Sequence, residues 1–194
     1  MTFTRRNLPH LYFERGIYFI TFRLADSLLV EIIADLIRSS RNSKNIKDKR
    51  IFQKFDSILD SGKYGANYLK NDNVADIVKH CLHYPHNKDY KLICYCIMSN
   101  HVHVVFELLE NNKGISKIMQ SIKRISARKS NEILHRSGTF WQDESFDRLI
   151  RNEKEFYKIL RYVLMNPVKA GLVTHWKDWK NSYCHPEFIE SIPE

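Results

Sequence analysis

The run Ser99-Asn100-His101-Val102-His103-Val104-Val105-Phe106 reads as a strand carrying two histidines one residue apart. In extended backbone, positions i and i+2 point to one face, so His101 and His103 present two imidazoles side by side. Two neutral imidazoles on a stiff strand can hold a metal and leave a coordination position open for substrate. A second set of reactive groups sits near the C-terminus, in Glu155-Phe156-Tyr157-Lys158-Ile159-Leu160-Arg161-Tyr162-Val163-Leu164-Met165-Asn166-Pro167. Helical spacing gathers Phe156, Leu160, Val163 and Leu164 into one apolar stripe, with Tyr157 near its edge. Tyr162 lies about 145° round from the centre of that stripe at 100° per residue. Asn166 falls one turn later on the same side. The expected arrangement is a phenol turned away from the packing face, beside an amide able to bind a metal or a phosphate.

The elements that position these groups follow from periodicity. Residues 17–24, Ile-Tyr-Phe-Ile-Thr-Phe-Arg-Leu, are β-branched and aromatic, and predict a strand buried on both faces. Ser27 caps an expected helix through Leu29, Ile32, Ile33, Leu36 and Ile37. The basic stretch 41–50 reads as a linker or loop, and a second helix through Ile51, Phe52, Phe55, Ile58 and Leu59 stops near Gly62. A third uses Val74, Ile77, Val78, Cys81 and Leu82 and ends before Pro85. His80, His83 and His86 read as solvated. Residues 90–98 form a strand that turns at Ser99-Asn100 into the histidine strand. A long helix over about 115–134 turns Ile115, Ile118, Met119, Ile122, Ile125 and Ile133 inward. A strand over 145–150 and a helix near 153–165, ended by Pro167, complete the pattern. Strand, helical connection, two strands, helix and strand predict an α+β ferredoxin-like (split βαβ) antiparallel sheet. Helices on one face and a C-terminal helix bearing the tyrosine accompany it. One domain over 1–194 is expected, with a variable helical insertion at about 41–90.

Composition narrows the partners. The 31 Lys and Arg against 22 Asp and Glu give a net charge of +9, which favours a polyanion such as nucleic acid. No apolar run is long enough to span a bilayer and the start lacks a secretory pattern, so a cytoplasmic protein with no membrane partner is expected. Four cysteines without framework spacing fit a reducing compartment. Lys117, Arg124 and Arg128 recur on one side of the long helix. Lys123 and Arg124 there, with Arg148, Arg161 and Lys169 flanking the proposed site, are the nucleic-acid-binding candidates. Trp141 and Phe140 could stack on an unpaired base, although core packing suits Phe140 better. Two rival readings remain open at this level. One is a non-catalytic nucleic-acid-binding module offering Tyr18, Phe22 and Tyr95 from the sheet. The other is a structural zinc hairpin using Cys94 and Cys96 with the two histidines.

Met98-Ser99-Asn100-His101-Val102-His103 resembles the histidine-hydrophobic-histidine (HUH) motif of single-tyrosine transposases. Arg161-Tyr162-Val163-Leu164-Met165-Asn166-Pro167-Val168-Lys169-Ala170-Gly171-Leu172-Val173 resembles the C-terminal signature of the REP-associated tyrosine transposases. Gly138-Thr139-Phe140-Trp141-Gln142, Phe146-Asp147-Arg148-Leu149 and the strand at 17–24 match the same pattern. Ser99 departs from it, standing where the family commonly has proline. The resemblance covers roughly residues 15–175 and implies a metal-dependent single-stranded DNA transesterase acting on hairpin or palindromic DNA. In it Tyr162 is the catalytic nucleophile forming a 5′-phosphotyrosine. His101, His103 and Asn166 hold Mg²⁺ or Mn²⁺. Apart from the resemblance, a monomer or homodimer is expected.

Overall fold

The computed structural model describes residues 2–5, 9–12, 15–27, 58–59, 65–190 and 192. Elements are numbered in chain order among these. Beyond Ser27, the helix expected over 29–37, the basic linker at 41–50 and the helix at 51–62 lie outside the described residues, apart from a helical turn at Ile58 and Leu59.

A short hairpin, β1 (Thr2–Arg5) and β2 (Pro9–Tyr12), forms its own two-stranded sheet and was not anticipated from sequence. The main sheet has five strands: β3 (Ile17–Arg23), β4 (Tyr90–Ile97), β5 (His101–Leu108), β6 (Phe146–Ile150) and β7 (Ser182–Cys184). Their order is β6-β3-β5-β4-β7, and every neighbouring pair is antiparallel. Setting β7 aside, the first strand lies between the third and fourth and the second takes the outside. That is the split βαβ arrangement the sequence pattern predicts. β7, a three-residue strand with little periodicity to betray it, extends the edge beside β4.

Two apolar layers cover the sheet, one on each face. Alternation sends Tyr18, Ile20 and Phe22 of β3 and Val102, Val104 and Phe106 of β5 into the first. Helices α1 (Asp72–His83) and α2 (Ile115–Ile133) close it through Val74, Ala75, Val78, Leu82, Ile115, Ile118, Met119 and Ile122. The Asn71 side chain caps α1 by accepting from the Asn73 and Val74 amides. The stripe of α2 continues through Ser126 and Ser130, both buried, whereas Ile125 is half-buried and Ile133 exposed. The reason is geometric: Ile122 is followed on its face by residues four and eight positions on. Ser126 is tolerated there because its hydroxyl donates to the Ile122 carbonyl and accepts from Trp141 Nε1.

The opposite layer holds Phe19, Ile93, Cys94, Cys96, Met98, Val105 and Ile150 beneath α3 (Glu153–Leu164). Asn152 caps α3 by accepting from Glu155 N at 2.9 Å, and Glu153 and Glu155 complement the helix dipole. α3 stops at Leu164, and a short helix α4 (Asn166–Lys169) follows with Pro167 in its first turn. Pro167 therefore opens the next helix instead of only closing the last. A four-residue helix α5 (Pro186–Ile189) comes after β7.

The segment returning from residue 65 meets the exit of β3. The Ala66 amide donates to Asp26 O at 2.8 Å, and Leu69 N donates to Ser99 O at 3.1 Å. Gly65 has φ +72°, and a Cβ there would stand 2.1 Å from Asp26 O, so only glycine fits.

Candidate active site

His101 and His103 open β5 immediately after the Ser99-Asn100 turn, which Met98 N closes onto His101 O at 2.9 Å. Both rings are buried on the α3 side of the sheet. Register puts Thr21 opposite His103 and Arg23 opposite His101 on one flank, and Cys96 opposite His103 on the other. The two Nε2 atoms approach to 2.9 Å. His101 Nδ1 faces Asn100 Oδ1 at 2.7 Å, and His103 Nδ1 faces Thr21 Oγ1 at 2.8 Å.

α3 brings Tyr162 to the same place. Its ring centroid lies 5.5 Å from that of His103 and 6.0 Å, edge-on, from Phe19. Phe19 in turn lies 5.7 Å from His103 with the rings nearly parallel. The phenol is thus half-buried against the sheet, not turned away from it as the helical wheel suggested. Ile159 explains the difference. It is buried and widens the stripe toward Tyr162, so Tyr162 and Asn166 form its flank. Tyr157, expected to pack, is exposed instead.

Asn166 is fully buried, and its Nδ2 donates to the Tyr162 carbonyl at 3.1 Å. Its Oδ1 has no hydrogen-bond partner, an unusual state for a buried amide oxygen. The Lys169 ammonium stands 4.5 Å over the Tyr162 ring.

These donors suit a divalent cation. Two nitrogens bound at about 2.1 Å and at right angles sit about 3.0 Å apart, against about 3.4 Å for tetrahedral ligands. The 2.9 Å separation of the imidazoles matches the former, and an orphaned amide oxygen one turn from Tyr162 is a ready hard ligand.

The other residues picked out from sequence divide into engaged and exposed. Lys123 is engaged: its ammonium donates to Gln142 O at 2.8 Å and Asp143 O at 3.0 Å. Burial pushes its pKa down to about 8. It is therefore anchored to a loop and not part of the exposed basic side of α2, where Lys117, Arg124 and Arg128 lie. Arg148 is exposed but ion-paired with Glu155. Arg161 is exposed, next in chain to Tyr162. Trp141 is buried and bonded to Ser126, so it offers no stacking face, and Phe140 is core.

The rival readings lose their material. Tyr18, Phe22 and Tyr95 are buried beneath α1 and α2, so they present nothing to a single strand. Cys94 and Cys96 lie buried in the apolar layer beneath α3, where burial pushes the Cys94 thiol well above its ordinary range. Among the described residues no group of three or more His, Cys, Asp and Glu is placed to hold a metal. His83 is exposed, as expected, with its ring edge-on to Tyr95 and Tyr183. His86 Nδ1 accepts from Leu92 N.

Sequence reasoning missed Thr21, Phe19 and Asn100. Thr21 left one trace, the only aliphatic hydroxyl of its strand. Its partner lies 82 residues away, known only through register.

An antiparallel sheet with an HxH strand against a tyrosine-bearing helix defines a class, the single-tyrosine transposases, and comparison with known proteins agrees. The chain belongs to the family Transposase IS200 like (Y1_Tnp), whose model matches residues 44–166 and so takes in both histidines, Tyr162 and Asn166. A Haemophilus influenzae protein provisionally named a REP-associated tyrosine transposase is 30% identical over 124 residues, 59% of this chain and 68% of that protein. The REP-associated tyrosine transposase of Escherichia coli K12 is 26% identical over 108 residues, 55% of this chain and 61% of that one. In fold, the chain is similar to a REP-associated tyrosine transposase solved bound to a REP hairpin. That match has a TM-score of 0.61 at 18% identity and covers all of this chain and 89% of the other. Among the described residues no helix is long and apolar enough to cross a membrane.

Proposed function

We propose that this chain cleaves and rejoins single-stranded hairpin DNA by transesterification, with Tyr162 as nucleophile. The observation carrying the proposal is the approach of the Tyr162 ring to within 5.5 Å of His103, whose Nε2 converges with that of His101. The hairpin substrate is inferred from the relative solved with a REP hairpin and from the +9 charge.

In this reading Tyr162 Oη attacks a backbone phosphorus and its proton leaves to solvent. The new Oη–P bond replaces the P–O3′ bond, giving a 5′-phosphotyrosyl enzyme and a 3′-oxygen that takes up a proton. Rejoining is the reverse, with a 3′-hydroxyl as attacker, and the ester conserves the bond energy. Tyrosine is a weak nucleophile at neutral pH and needs a site that favours charge transfer to phosphate. His101, His103 and Asn166 would hold Mg²⁺ or Mn²⁺, which supplies Lewis-acid neutralisation of phosphate charge when bound. Phe19 packs against both the Tyr162 and His103 rings and buttresses their approach. Lys169, over the Tyr162 ring, stands where negative charge gathers during attack. Arg124, Arg128 and Arg161 would contact flanking phosphates.

The test is incubation with a panel of single-stranded palindromic DNAs and Mn²⁺, scored for a denaturation-resistant protein–DNA adduct. The wild type forms it, and Tyr162→Phe does not. An adduct retained by Tyr162→Phe moves the nucleophile elsewhere, and its absence from the wild type on every hairpin defeats the transesterase reading.

A further inference from the structure

The two imidazoles are held differently from behind. Asn100 is buried, and its Nδ2 donates to the Leu59 carbonyl at 3.2 Å. That bond fixes which way the amide points, leaving Oδ1 toward His101 Nδ1 at 2.7 Å. A carbonyl oxygen only accepts, so the neutral His101 ring carries its hydrogen on Nδ1 and its lone pair on Nε2. Nothing on that side can reverse. His103 Nδ1 instead meets the buried Thr21 hydroxyl at 2.8 Å, and a hydroxyl can donate or accept by rotating about one bond.

The 2.9 Å contact between the two Nε2 atoms makes this asymmetry matter. Without a cation, two facing lone pairs repel, and one hydrogen must lie between them. His101 cannot supply it, so His103 does, from Nε2, with the Thr21 hydroxyl donating to Nδ1. A bound cation requires both Nε2 lone pairs. The His103 hydrogen must then reside on Nδ1, and Thr21 must accept it.

We propose that Asn100 and Thr21 are positioning residues that set the tautomers of the cation-binding histidines, Asn100 permanently and Thr21 reversibly, so that His103 changes tautomer when the cation arrives. The inference rests on the reading of His101 and His103 as cation ligands, and deepens it. Asn100 also ties the site to Leu59, whose carbonyl orients the amide that orients the imidazole. Partners behind metal-bound histidines commonly account for about 10–100-fold in affinity.

Nitrogen-15 NMR of the histidine side chains reads the tautomers in the wild-type protein, and calorimetric titration with Mn²⁺ reads affinity. Expected in the cation-free protein are Nδ1–H for His101 and Nε2–H for His103, with His103 changing to Nδ1–H on addition of diamagnetic Mg²⁺. Thr21→Val, close to isosteric, should weaken Mn²⁺ binding about tenfold or more, whereas Thr21→Ser should stay within about threefold of wild type. Asn100→Leu should weaken it comparably. The proposal is overturned if Thr21→Val binds Mn²⁺ as tightly as wild type, or if His103 is Nδ1–H before any cation is added. Those results leave the cation reading standing. A wild type with no Mn²⁺ binding that His101→Ala removes defeats that reading and this inference together.

Discussion

The two faces of the sheet use the same strands for opposite purposes. On the α1–α2 side, Phe22, Val102, Val104 and Phe106 belong to a core cluster of apolar and aromatic side chains. On the α3 side, the residues between them are Thr21, His101 and His103, buried just as deeply but hydrogen-bonded to one another. Burying polar groups costs free energy unless each finds a partner. The burial of apolar side chains beneath α1 and α2 offsets that cost. One face holds the fold, and the other spends part of its stability on a site.

The contrast can be broken experimentally from the polar side first. His101→Ala should abolish specific Mn²⁺ binding and slow adduct formation on hairpin DNA by at least about a hundredfold, while thermal unfolding changes far less. A rate within tenfold of wild type would mean the imidazoles are structural. From the apolar side, Phe106→Ala should cost about 3–5 kcal/mol in urea denaturation, yet leave Mn²⁺ affinity of the folded molecules unchanged. If affinity falls with stability, the two faces are not separable. Arg124→Ala and Arg128→Ala should each lower the slope of log K against log salt for DNA binding by about 0.7–0.9, measured by fluorescence anisotropy, without altering unfolding. Lys123→Met should leave that slope alone, because its ammonium is already bonded to two carbonyls.

Lys123 carries the smallest effect, in pH. Its folded pKa of about 8 lies below the ordinary 10.5. Between those values the unfolded chain binds more protons than the folded one, so the lysine's contribution to stability rises with pH. Wild type should therefore gain stability relative to Lys123→Met from pH 8 to 10, in paired denaturation curves. A constant difference would show that the amine is not desolvated.

Features set by local spacing could be read directly from the chain. Alternation put His101 and His103 on one face, and the succession of apolar patterns pointed to the split βαβ class of the four longer strands. What could not be read depends on where elements cross. Leaving Ile159 out of the α3 stripe rotated Tyr162 toward solvent on paper, when it packs on Phe19. Ser126 and Ser130 look like solvent positions until Trp141 supplies a donor for the first. Lys123 looks like its neighbour Arg124, and only the return of the 142–143 loop distinguishes them.

Gly65 has a practical corollary for anyone grafting or trimming the stretch before it. Its missing side chain lets the backbone lie flush on Asp26, and from there the chain runs on to meet Ser99 through Leu69. That contact acts as a fixed docking point. Replacement sequences of different length upstream should be accommodated as long as they deliver the chain to this glycine, whereas Gly65→Ala would lever the exit of β3 away from its seat.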